Sequence, residues 1–219
     1  MSFLLAGLSL LAAAQAASVS PVAVKGGCAS LPQYNAQDGI AGPWVVTVDQ
    51  CVNTTAADHA CSMEGFGSTS VYLIQSGETS PHRGYIGIVS ENDLAKSPIR
   101  CNDASKAFES YVQYEYDVKW LGVNVTDMPY SAELMYGLGQ YSLPIQAYNH
   151  YKDGVKQDGL FLGAHNVTTW GIQPVEGDQA SGGKPWWMIR LLGPNSAVPN
   201  TGKPLYDGEF RTFIRIDGS

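Results

Sequence analysis

Paired carboxylates and histidines are the side chains in this 219-residue sequence whose types and spacing could move protons. Glu115 and Asp117 sit two positions apart in an alternating run, which on a strand puts both on one side about 7 Å apart. That separation is compatible with a paired-carboxylate hydrolase. The same alternation also describes a wet sheet face, with Lys119 as a charge partner.

Among the four histidines, His150 and His165 act together in only one hairpin register. A turn at Asp153-Gly154 sets His150 opposite Gln157 and leaves His165 about 26 Å further along the strand. A turn at Asp158-Gly159 makes the two histidines same-face diagonal neighbours, about 7 Å apart. The first register is the simpler one. His59 and His82 read as surface residues.

The sequence contains no complete serine-nucleophile elbow, phosphate loop, dinucleotide fingerprint or zinc-protease helix. It therefore assigns no catalytic residue and implies no cofactor. Four cysteines, Cys28, Cys51, Cys61 and Cys101, lack the close pairing of a zinc site. Their even number leaves no spare thiol nucleophile, so they read as two disulfides with three possible connectivities. Pairing Cys51 with Cys61 closes a small loop, and pairing Cys28 with Cys101 ties the amino-terminal arm to the core.

An apolar leader over residues 1–17 ends in the small-residue pattern Ala14-Gln15-Ala16, although it lacks the usual basic start. It predicts export and cleavage, leaving one domain over residues 18–219 in an oxidising compartment. Asn53, Asn124 and Asn166 each begin an N-linked glycan acceptor tripeptide. The formal charge of −7, from 13 Lys plus Arg against 20 Asp plus Glu, argues against nucleic acid and anionic membrane as partners. Together these features resemble the small secreted proteins of filamentous fungi.

The elements that must position these residues are strands. Alternation is clearest over residues 111–120, which read as one long half-buried strand. Further β-rich runs cover 43–48, 69–75, 84–90, 143–151, 160–164, 167–172, 185–192 and 209–216. Short helical stretches are predicted at 103–108 and 131–136, and residues 176–184 read as a loop. With 24 glycines and 12 prolines as punctuation, the pattern predicts an all-β, single-domain antiparallel β-barrel or sandwich with two disulfides.

Gly42-Pro43-Trp44, followed by Val45-Val46-Thr47-Val48, resembles the Gly-x-Trp that opens the first strand of lipocalins and related calycin barrels. The resemblance implies that Trp44 plugs a closed barrel end beneath an arginine from a late strand, with Arg190, Arg211 or Arg215 as candidates. Thr126-Asp127 followed by Tyr130 is similar to that family's second signature, with Met128-Pro129 inserted. The cysteine positions depart from the usual lipocalin pairing.

Five Trp, twelve Tyr and six Phe supply the remaining binding chemistry. Trp186 and Trp187 are consecutive on a predicted strand and must face opposite ways. Tyr148, His150 and Phe161 fall on a hairpin face separate from that of Ile145, Ala147, Leu160 and Leu162. The candidate ligand-binding set is therefore Tyr114, Tyr116, Trp120, Tyr148, His150, Phe161, His165 and Trp187. It suits a secreted barrel holding a small aromatic or apolar molecule in an enclosed pocket. Two alternatives remain. One is a cofactor-independent cyclase or isomerase acting on a natural product by positioning. The other is a secreted carbohydrate-binding or effector-like interaction protein, marked by an open aromatic strip.

Overall fold

Alternating burial organises the chain into strands. In the segment 107–114, Phe108, Ser110 and Val112 are buried while Tyr111 and Gln113 face solvent. The computed structural model describes residues 19–51, 63–73, 82–90, 96–126, 132–137, 142–177, 181–193, 196–198 and 200–216. The first strands are β1 (Val19–Ala23), β2 (Tyr34–Asn35), β3 (Ile40–Trp44), β4 (Val46–Cys51), β5 (Gly67–Leu73) and β6 (Arg83–Val89). They are followed by β7 (Ile99–Asn102), β8 (Ala107–Tyr114), β9 (Asp117–Thr126), β10 (Leu134–Tyr136), β11 (Ser142–Pro144) and β12 (Gln146–Lys152). The last five are β13 (Val155–Lys156), β14 (Leu160–Gly163), β15 (Trp170–Val175), β16 (Trp186–Leu191) and β17 (Phe210–Ile216). Helix among the described residues is limited to short 3-10 turns, at Gly27–Ser30 and at Met63.

Six strands close an antiparallel barrel in the order β4, β5, β6, β16, β15, β17 and back to β4. A β-bulge between Thr212 and Phe213 bends β17, as expected where a small barrel must turn a corner. A second path of pairings leaves β6 through β10, β9, β8 and β7 to β3. That last strand runs on into β4, with Val45 between them.

The main core fills the space shared by these two circuits. It includes Trp44, Ile86, Ile88, Ile99, Val112, Val123, Leu134, Ile189 and Ile214. Trp186 joins a separate cluster with Val71 and Val89, whereas Trp187 packs on the main core, so the two tryptophans face opposite ways as the sequence requires. Gly87 makes room for this arrangement. A Cβ there would lie 2.6 Å from the Trp186 ring.

Three local expectations are corrected. Residues 111–120 do not form one strand, because Glu115 takes a left-handed φ of 54° and turns β8 back into β9, setting Tyr114 opposite Asp117. Val118 and Trp120 consequently share a face with Tyr111 and Gln113, not with Val112. Residues 103–108 form a turn leading into β8, and the expected helix at 131–136 contains β10, which β6 and β9 hold in extended form from either side.

Next to its turn the hairpin at Asp153-Gly154 has the predicted register, which has shifted by two residues at β14, where Tyr148 pairs with Phe161. Lys152 pairs with Val155 and Tyr151 with Lys156, both turn residues have positive φ, and Gln157 N–H donates to the His150 carbonyl. Cys28 and Cys101 form a disulfide. Cys61, Asn53 and His59 lie outside the described residues. Cys51 ends β4, and the proposed second bridge also falls outside what is described.

Trp44 is buried opposite Ile99 at the β3–β7 pairing, after a cis Gly42–Pro43 peptide. Of the candidate arginines, Arg190 is bonded to Glu209 and Arg215 lies 3.9 Å from Asp49.

Candidate functional site: an open aromatic sheet face

The β8–β9 hairpin gathers aromatic side chains on a solvent-facing surface. Tyr111 and Trp120 are directly opposite each other, and their ring centroids lie 5.3 Å apart. Such cross-strand aromatic pairs contribute about 0.5–1.5 kcal/mol beyond their burial. The pair remains open, with Tyr111 44% exposed, and Val118 and the hairpin-tip Tyr116 are also exposed, the latter at 85%. Apolar side chains grouped on one exposed face are a feature of recognition surfaces.

Polar groups border the rings. The Arg100 guanidinium lies over Trp120, 4.2 Å from the ring centroid. Glu109 fixes that guanidinium, accepting from Arg100 Nε at 2.9 Å and Nη2 at 2.8 Å. Asn102 and Ser105 donate to the same carboxylate. Burial alone would raise the Glu109 pKa, but the bonds from Ser105, Arg100 and Asn102 outweigh it and hold the carboxyl below its usual range. The result is a pair of rings tilted 45° to each other, with a fixed cation over one of them and the Gln113 amide on the same face, while the Glu109 carboxylate is buried and held by Arg100, Asn102 and Ser105. Flat faces carrying C–H bonds fit the rings, and hydroxyl groups fit the border.

On the other side of the hairpin tip, Lys119 lies over the Tyr114 ring, and His82 meets that ring edge-on at 5.7 Å. Glu115 lies 3.7 Å from His82 and 3.9 Å from Lys119. Glu115 belongs to the turn while Asp117 starts the next strand, so they are not the same-strand carboxylate pair expected from the sequence.

Tyr148, His150 and Phe161 do share a face, but one packed into the molecule. His150 stacks on Phe161 with 3.7 Å between centroids, and Phe213 meets both rings edge-on. The imidazole Nε2 is 2.8 Å from the buried Thr168 hydroxyl. Burial lowers the His150 pKa to about 4, so the ring is neutral at pH 7. The Tyr148 hydroxyl accepts the Asn166 backbone N–H and donates to Gln146. His165 is exposed in the tight turn closed by Ala164 and Val167, consistent with the register that separates the two histidines. Trp187 is half-buried and meets Phe66 edge-on.

Two clefts adjoin the amino-terminal arm. One, of about 660 Å³, is lined by Leu31, Pro32, Asn149, Lys156, Asp158 and Leu160. The other, of about 220 Å³, lies beside the disulfide and Phe108. A third, of about 360 Å³, is bordered by Thr169, Ser196 and Arg211. Each opens to solvent. Among the described residues, no three His, Cys, Asp or Glu side chains gather in a group that could hold a metal ion.

Sequence reasoning selected Trp120 and the hairpin-tip Tyr116 but missed Tyr111, Arg100 and Glu109, and Tyr114 falls on the opposite face, with Val112 and Lys119. The missing signal was the turn, because Tyr111 meets Trp120 only after the chain reverses at Glu115. No protein-family model matches this chain, and no curated protein is detectably similar to it in sequence.

Proposed function

We propose that this is a secreted carbohydrate-binding protein that recognises its ligand with the open face of β8 and β9. The carrying observation is the exposed Tyr111–Trp120 pair bordered by the Arg100–Glu109 ion pair. A pyranose ring stacks its C–H face on the aromatic surface and directs its hydroxyls to Arg100 and Gln113. The apolar leader, the Cys28–Cys101 disulfide and the acceptor asparagines support release into an oxidising compartment. Recognition by an open face is also compatible with the packing of His150, Phe161 and Phe213 against one another.

The test is titration of soluble oligosaccharides of several linkages into an Asn124→Gln background, followed by tryptophan fluorescence and calorimetry. Trp120→Ala and Tyr111→Ala should each weaken binding on the order of tenfold, about 1.4 kcal/mol. Equal binding by all variants, or no binding across the panel, overturns the proposal.

A second reading is favoured by the 660 Å³ cleft, where the buried Asn149 Oδ1 has no hydrogen-bond partner among the described residues. A buried acceptor of this kind suits a small, largely apolar molecule with an N–H or O–H donor. Mass spectrometry of small molecules retained from a source-cell extract, lost in Asn149→Ala, tests it.

A further inference from the structure

The acceptor tripeptide Asn124-Val125-Thr126 ends β9, the strand that carries Trp120. Trp120, Gly122 and Asn124 occupy alternate positions and therefore share the open face, with about 13 Å of strand between the first and the last. Asn124 is half-exposed, and its side chain makes no hydrogen bond to the described residues. Its Nδ2 atom, which would receive a sugar, lies 3.8 Å from the place a Cβ would occupy on Gly122, and apart from the adjacent residues of the chain no other described residue comes within 4 Å of that place. Opposite Gly122 stands Glu109, which holds Arg100 over the Trp120 ring. An open strip thus runs from the acceptor nitrogen to the aromatic pair, walled by the Arg100 guanidinium, which can donate to hydroxyls.

We propose that Asn124 carries an N-linked glycan whose first sugars lie over Gly122 against Trp120, so that the protein's own oligosaccharide covers its recognition face. This rests on the reading of that face as a carbohydrate surface. The covalent step takes a lipid pyrophosphate-linked oligosaccharide as donor. The sugar C1–O bond to phosphate breaks, a C1–N bond to Asn124 Nδ2 forms, the amide nitrogen gives up one proton, and the lipid pyrophosphate leaves. In the folded chain the Thr126 hydroxyl already accepts the Glu133 backbone N–H, so the transfer precedes closure of β10 onto β9.

Asn166 provides the contrast. It is exposed in a tight turn with positive φ, and its acceptor threonine, Thr168, is buried against His150. A sugar there projects into solvent.

The test uses the full chain secreted from a eukaryotic host, with occupancy mapped by mass spectrometry of glycopeptides. In the occupied protein, the N-acetyl and ring protons of the sugar on Asn124 should be shifted upfield by the Trp120 ring current in NMR spectra. That shift should vanish in Trp120→Ala and in Gly122→Val with occupancy unchanged. A Cβ at position 122 meets Asn124 Nδ2 at ordinary van der Waals distance, so folding is expected to survive. Oligosaccharide should bind Asn124→Gln at least tenfold more tightly than the glycosylated protein. An empty Asn124 beside an occupied Asn166, or an occupied Asn124 whose sugar protons are unshifted and indifferent to Trp120, overturns the proposal. Both results leave the carbohydrate surface standing if Asn124→Gln binds oligosaccharide, and failure of that binding instead sinks the recognition reading itself.

Discussion

The imidazole of His150 lies parallel to the Phe161 ring, with 3.7 Å between centroids and 2° between planes. The stack is built for a neutral ring, since a proton on it would be stranded in an apolar wall beside Phe213.

Stability should therefore fall in mild acid. In the unfolded chain the histidine titrates near 6.5, whereas in the fold its pKa is about 4. The contribution is fully present above pH 6.5, is lost as pH falls through that window, and levels off below about 4. The shift corresponds to about 3 kcal/mol. Urea unfolding between pH 7 and 4 measures it. A His150→Phe, Thr168→Val double variant, which removes the titrating ring and its hydroxyl partner together, should flatten that part of the profile.

Arg190 and Glu209 form a buried ion pair whose side chains are 1% and 0% exposed. Arg190 also donates to the Ser196 and Pro204 carbonyls and lies over the Tyr206 ring. Glu209→Gln leaves a buried guanidinium without its counter-charge and should cost about 3–5 kcal/mol in chemical denaturation. Asp207→Asn, which breaks the exposed pair with Lys203, should leave the midpoint unchanged.

The Tyr136 hydroxyl is buried without a hydrogen-bond partner among the described residues. Tyr136→Phe removes an unsatisfied polar group while keeping the ring, so stability should hold or rise by about 1 kcal/mol. A clear loss in thermal unfolding would mean that the hydroxyl has a partner after all.

Cys28 and Cys101 close a loop with a sequence separation of 73. Replacing both with serine should destabilise the protein by about 4 kcal/mol on the chain-entropy account. Comparing the oxidised protein with the double variant in guanidinium gives the value.

Strand content was legible because alternation reports a half-buried sheet directly, and Asp153-Gly154 specified its hairpin through residues that tolerate positive φ. The tryptophans at 186 and 187, and the separate face of Tyr148, His150 and Phe161, followed from the same period. The β8–β9 turn was hidden because Glu115-Tyr116 offers no glycine, asparagine or proline, and alternation continues across it. Missing that turn concealed the pairing of Tyr111 with Trp120. The Arg190–Glu209 pair was equally hidden, since its partners are 19 residues apart and meet only through the β15–β17 pairing beside Gly171. Barrel closure depends on such long-range neighbours, which local periodicity does not encode.

Residues 19–31 are fastened twice, by β1 along β12 and by Cys28 to β7. The arm thus works as a strap between two parts of the sheet network that are otherwise joined by more distant pairings. Reduction releases the strap at its disulfide end and leaves all six barrel pairings intact, so the molecule should come apart in sequence, with the arm loosening before the barrel opens.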